Sequence, residues 1–151
     1  MLIPIGIFLS PPLLLVGYAL HFTFDALDGA LARSAQRVTA RGAYLDVTAD
    51  YLALVVTVIA ARWAFGLSAF WTLLYTVCYI LVIVHFLSRN AQGKHPPFPL
   101  LRTRFPLFLL VALCVFRVVE PPWLDLFLAA ASIYYAAVLL VCLLILRWKL
   151  R

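Results

Sequence analysis

The sequence predicts an all-α protein, a polytopic transmembrane helix bundle with five full spans and an N-terminal stub. Two thirds of the 151 residues are hydrophobic and 12% are charged, which is more apolar surface than one soluble domain of this size can bury. Apolar runs near the roughly 20 residues that a spanning helix needs recur along the whole chain. Basic residues gather at the ends of these runs, so the net charge of +6 indicates contact with anionic lipid headgroups and not with nucleic acid.

The predicted elements belong to a single domain, residues 1–151, and are separated by charged or proline-rich breaks. Residues 2–9 are apolar but too short to span, and the Ser10-Pro11-Pro12 break starts the first full helix. The fourth run is short for a spanning helix. The five predicted spans are residues 12–33, 43–61, 67–87, 105–119 and 123–146.

The distribution of basic residues predicts the orientation of the bundle. When residues 33–41 are placed in the cytoplasm, ten of the twelve Lys and Arg fall on that side and only Arg62 and Arg117 fall on the other. Cytoplasmic loops of membrane proteins carry this excess of positive charge. The sequence therefore predicts an integral protein of a bacterial or archaeal cytoplasmic membrane, with the polar ends of its first two helices facing the cytoplasm.

Four of the six acidic residues lie at those polar ends. Asp25 and Asp28 are three residues apart, and Asp46 and Asp50 are four apart, so each pair shares one face of a helix. A short loop makes the two helices antiparallel neighbours, and the carboxylates can converge in one pocket. Each carboxylate costs at least ~2.5 kcal/mol at membrane depth, so we expect bound Mg²⁺ or Mn²⁺, with two ions suited to phosphoryl transfer.

Nearby residues add to this interpretation and also supply its alternative. Arg33 lies near the face of Asp25 and could bind a diphosphate through its guanidinium. Gly29 and Gly42 permit close approach of a helix or a ligand to the backbone. The alternative is a structural network of ion pairs in which the acids pair with Arg33, Arg37 and Arg41.

The spacing of these residues resembles the signature of the CDP-alcohol phosphotransferase family, also called CDP-alcohol phosphatidyltransferases. Residues 25–33 read DALDGALAR, eight residues follow, and residues 42–50 read GAYLDVTAD. The family pattern is DxxDGxxAR, eight residues, then GxxxDxxxD, and all eight fixed positions match. The resemblance implies a homodimer of six-helix subunits that transfers a substituted phosphoryl group from a CDP-linked donor such as CDP-diacylglycerol to a small or lipid alcohol, releasing CMP.

The resemblance also implies roles for individual residues. The matching metal ligands are Asp25, Asp28, Asp46 and Asp50, and Asp50 also matches the proposed general base. The positions that match CDP contacts or close packing near CDP are Asp28, Gly29, Ala32, Arg33 and Gly42. The family has a full helix before the one that carries the first acid, where this chain has residues 2–9.

Weaker features allow two interpretations each. Arg102 and Arg104 open the fourth span, where basic residues bind the acceptor phosphate in some family members, so glycerol 3-phosphate is the preferred acceptor; they could also be ordinary flanking charges. His21, one turn before Asp25, could hydrogen-bond that carboxylate, although a packing histidine is favoured. The tyrosines at 75, 79, 134 and 135 are interpreted as packing aromatics.

Two other functions remain open at this point. An inactive or partner-dependent membrane subunit would retain the fold without the activity. An intramembrane prenyltransferase also uses Asp-rich metal sites, but its two Asp motifs lie far apart in the chain, and it would release pyrophosphate where a CDP-alcohol phosphotransferase releases CMP.

Overall fold

The five predicted helices are all present in the computed structural model, which describes residue 7 and residues 11–34, 40–91 and 103–149. The described ranges contain no β-strand, so the predicted all-α fold is confirmed. The helices are α1 (Pro11–Ser34), α2 (Ala40–Phe65), α3 (Ala69–Ala91), α4 (Arg104–Val115) and α5 (Pro121–Lys149).

Three of these helices contain segments that are long and apolar enough to cross a membrane. The segments are Thr48–Phe65 in α2, Ala69–Arg89 in α3 and Pro121–Ile145 in α5. Large aliphatic side chains on their outer faces are exposed, as in Leu73 at 65% and Leu143 at 61%, which suits a surface solvated by lipid. The chain is therefore an integral membrane protein.

The end of α2 lies beyond its predicted position because a glycine, and not the charged residue before it, stops the helix. Arg62 was expected to follow the helix, but the helix continues through it to Phe65. Gly66 then adopts a φ of +66°, and the N–H of Leu67 bonds to the carbonyl of Arg62 at 3.2 Å. Because Leu67 takes part in this C-terminal cap of α2, it cannot also begin the next helix. Helix α3 therefore begins at Ala69 and not at residue 67 as predicted.

The end of α4 was predicted at residue 119, which is wrong by four residues. The helix ends at Val115, and Arg117 adopts a φ of 57°, unusual for a residue with a side chain. The N–H of Val118 bonds to the carbonyl of Leu113 at 2.9 Å, the pattern of a Schellman cap. The twelve residues of α4 span only ~18 Å at the rise of an α-helix.

Among the residues that the structure describes, helices α3 and α5 form the largest packing pair, and they run parallel. The N–H of Ser68 bonds to Asp125 near one end, and further along the ring of Tyr75 lies 6.0 Å from that of Tyr135. Residues later in α3 therefore contact residues later in α5. Helix α2 packs against α3, while α4 packs against α5 and also against α1, so α4 links α1 to the rest of the bundle.

The carboxylate of Asp125 caps the start of α3 from the neighbouring helix. Its two oxygens lie 3.0 and 3.2 Å from the Ser68 nitrogen, where the first N–H groups of α3 lack partners within their own helix. We expect Asp125→Ala to lower the free energy of unfolding by about 1.5–3 kcal/mol, the range for hydrogen bonds to charged groups. Thermal unfolding in detergent measures the loss, with exposed Glu120→Gln as the control. An Asp125→Ala variant as stable as wild type would contradict this capping role.

Candidate active site

Asp50 lies where three helices meet. It is the third residue of the apolar segment of α2, which begins at Thr48. Its side chain is 19% exposed. One carboxylate oxygen accepts a hydrogen bond from the Arg104 guanidinium of α4. The other oxygen lies 3.6 Å from Nε2 of His21 in α1. The residue predicted as general base therefore has the Arg104 guanidinium beside one oxygen and the His21 imidazole beside the other.

Arg104 is held in place by aromatic rings as well as by Asp50. Its side chain is 14% exposed, and its guanidinium carbon lies 5.1 Å from the ring centroid of Phe105, within the range of a cation–π contact. The Phe105 ring stacks on Phe22 of α1 at 5.3 Å. The first turn of α4 is thereby fixed against both α1 and α2.

His21 combines the two roles that the sequence left open. Its ring packs against Phe22 at 5.5 Å and against the edge of Phe108 at 5.9 Å, as expected for a packing histidine. Its Nε2 atom also lies beside Asp50. The predicted alternative paired it with Asp25, whose side chain lies outside the described residues.

For the remaining predicted site residues, the structure describes either the backbone alone or nothing. Arg102 lies outside the described residues, as do the side chains at the other seven signature positions. The backbones of those seven belong to two continuous helices, so the predicted spacing within each helix is retained. The positions in α1 are Asp25, Asp28, Gly29, Ala32 and Arg33, and those in α2 are Gly42 and Asp46.

The chemistry of the aspartates fits a hard divalent cation. Carboxylate oxygens are the ligands that Mg²⁺ and Mn²⁺ prefer. In the structure the Asp50 carboxylate is paired with the Arg104 guanidinium. Among the side chains that the structure describes, no group of three or more His, Cys, Asp or Glu is placed to hold a metal, since Asp50 is the one predicted ligand among them.

Sequence reasoning missed a buried chain of hydroxyl groups beside this site. The Thr103 hydroxyl lies 2.9 Å from that of Tyr75 in α3 and 2.7 Å from that of Tyr135 in α5. The two tyrosines are packing residues, as predicted, but their hydroxyls also meet at the residue before Arg104. A threonine followed by a helix with Pro106 in its first turn is a helix-start signal, and it could have drawn attention to Thr103.

Comparison with known proteins identifies a family that matches the chain. The sequence model of the CDP-alcohol phosphatidyltransferase family matches residues 5–147, which include every predicted site residue. Neither a curated protein nor a solved structure matches the chain significantly. The match confirms the resemblance that the signature indicated.

Proposed function

This chain belongs to the CDP-alcohol phosphatidyltransferase family, and from that premise we propose that CDP-diacylglycerol is its donor and glycerol 3-phosphate its acceptor. Phosphatidyl transfer from a CDP-alcohol to an alcohol, in phospholipid synthesis, is the activity of the family. The donor follows from the family, and the observation that carries the proposed acceptor is the ion pair between Asp50 and Arg104, in which a cation that could bind a phosphate lies beside the proposed base.

The proposed reaction is a displacement at phosphorus. The acceptor hydroxyl oxygen attacks the phosphorus of the phosphatidyl group and forms a new P–O bond. The bond from that phosphorus to the bridging oxygen of the diphosphate breaks, and CMP leaves with the electron pair. Asp50 takes the proton of the acceptor hydroxyl as general base.

The donor would be held at the cytoplasmic polar ends of α1 and α2. Asp25, Asp28, Asp46 and Asp50 would hold two Mg²⁺ or Mn²⁺ ions, which when bound would neutralise the charge of the diphosphate and of the leaving CMP. The residues proposed to surround the CDP moiety are Asp28, Gly29, Ala32, Arg33 and Gly42. We propose a homodimer as the working assembly, on the family resemblance alone.

Arg104 is proposed to bind the phosphate of the acceptor, with Arg102 as a second contact. Guanidinium groups bind phosphate through two parallel hydrogen bonds, and the N-terminus of α4, where Arg104 lies, adds a favourable partial charge. In the structure the Arg104 guanidinium donates a hydrogen bond to Asp50. A bound phosphate would compete for it, so arrival of the acceptor would free a carboxylate oxygen for proton transfer.

The test is an assay of the purified protein with CDP-diacylglycerol and a panel of acceptors, with product identified by mass spectrometry. We expect CMP release with Mg²⁺ or Mn²⁺, loss of activity in EDTA, and a preference for glycerol 3-phosphate over glycerol, inositol phosphate and serine. CMP release with serine preferred would overturn the proposed acceptor alone. Pyrophosphate from a prenyl diphosphate, or no CMP with any acceptor, would overturn the proposed reaction.

A further inference from the structure

We infer that Thr103 is a positioning residue for Arg104, acting through a bridge of three buried hydroxyls formed by Tyr75, Thr103 and Tyr135. The bridge fixes the start of α4 so that the next residue, Arg104, faces Asp50. This inference rests on the proposed function, because it assigns Thr103 to the acceptor side of that site.

The bridge joins three elements of the bundle in a fully buried position. Tyr75 of α3 and Tyr135 of α5 are 0% exposed, and Thr103 at the start of α4 is 2% exposed. The two O···O distances of 2.9 and 2.7 Å are those of good hydroxyl hydrogen bonds. A buried hydroxyl without a partner is destabilising, and displacing α4 from this position would break two such bonds at once.

The Thr103 hydroxyl bonds to the neighbouring helices and not to its own helix. Thr103 is the N-cap of α4, yet its side chain makes no cap hydrogen bond. An N-cap threonine ordinarily accepts a hydrogen bond from the second or third helical N–H, which stabilises the helix. The third helical residue is Pro106, which has no N–H. The hydroxyl therefore fixes where α4 lies in the bundle and not how stable α4 is by itself.

Both partners of Thr103 are held rigidly by a further ring. Tyr79 stacks on Tyr75 at 5.6 Å and meets Tyr135 edge-on at 5.1 Å. The bridge thus has two fixed ends, and Arg104 begins one residue beyond its centre. A displacement of about 1 Å in a binding group can cost ~100-fold in rate. Because Arg104 is the group that the bridge positions, loss of the bridge should mainly weaken binding of the acceptor that Arg104 is proposed to bind.

The experiment compares Thr103→Val, Thr103→Ser and Tyr135→Phe in the CMP-release assay with glycerol 3-phosphate. We expect Thr103→Val to raise the acceptor KM by about tenfold or more while the donor KM stays within about twofold, since the displaced group binds the acceptor. Thr103→Ser keeps the hydroxyl and should restore the acceptor KM. Tyr135→Phe removes one of the two bonds and should give a smaller rise.

Two further measurements separate positioning from general damage. Thr57→Val is the matched control, because Thr57 is equally buried but its hydroxyl donates to the carbonyl of Ala53 in its own helix at 2.6 Å. In an Arg104→Ala background, Thr103→Val should add little to the acceptor KM, since residues that act through one group are not additive.

An unchanged acceptor KM in a folded Thr103→Val variant, or an equal rise in both KM values, would overturn the positioning role. If Thr103→Val does not fold, an unchanged acceptor KM in Tyr135→Phe would overturn it as well. Absence of CMP release by wild type would instead overturn the proposed function, so the two failures are distinguishable.

Discussion

Replacing Asp50 with asparagine is expected to lower kcat for CMP release by roughly 10²–10⁴-fold, the contribution of a positioned general base. Asparagine has the size of aspartate but cannot take the proton of the acceptor hydroxyl. Its side-chain oxygen can still accept the hydrogen bond that Arg104 now donates to the carboxylate. The substitution should therefore remove the base, and also replace one proposed metal ligand with a neutral oxygen, while leaving α4 close to its position. Single-turnover CMP release at saturating substrates measures the effect.

The matched control removes a negative charge elsewhere. Glu120 is exposed in the connection between α4 and α5, and Glu120→Gln should keep full activity. Thermal unfolding and size-exclusion chromatography of both variants establish that they remain folded. An Asp50→Asn variant that keeps more than about a tenth of wild-type kcat would contradict the role of general base, because a positioned general base typically contributes ~10²-fold or more.

The helices could be predicted from the sequence, but their ends could not be located to the residue. Apolar run length is enough to find each helix, because lipid requires long runs without charge. The ends depend on backbone conformation. Gly66 and Arg117 both adopt positive φ, and only the glycine is a residue type that signals this. An arginine in that conformation gives no local signal, which explains why α4 was predicted too long.

The sequence predicted the individual residues of the site, but only the structure shows which of them contact one another. The resemblance to the family signature predicted Asp50 as the general base, and the position of Arg104 at the start of the fourth span suggested it as a ligand for the acceptor phosphate. Their ion pair joins residues 54 positions apart, and no periodicity in the sequence relates α2 to α4. His21 was considered as a partner of Asp25, one helical turn away, because local spacing was all that the sequence offered. The structure places it beside Asp50 on the neighbouring helix.

Arg104→Ala is expected to raise the KM for glycerol 3-phosphate by about a hundredfold, which corresponds to about 2.7 kcal/mol at 25 °C and lies within the range for losing one partner of a buried charged contact. The donor KM should change by no more than a few-fold, since CDP-diacylglycerol is proposed to bind at the ends of α1 and α2. Arg104→Lys keeps the charge but loses the two-pronged geometry, so its acceptor KM should fall between those of wild type and alanine.

The ion pair makes it possible to distinguish binding of the acceptor phosphate by Arg104 from holding of the Asp50 base by Arg104. Arg104→Ala also leaves the Asp50 carboxylate without this guanidinium, which should lower thermal stability because a partly buried charge loses its partner. In the Asp50→Asn background that cost should shrink, whereas the loss of acceptor affinity should persist. Arg62→Ala is the control, since Arg62 is a partly buried arginine near the other end of α2, over the ring of Trp63. Equal increases in donor and acceptor KM, or an acceptor effect that disappears with Asp50, would assign Arg104 to holding the base and not to binding the acceptor phosphate.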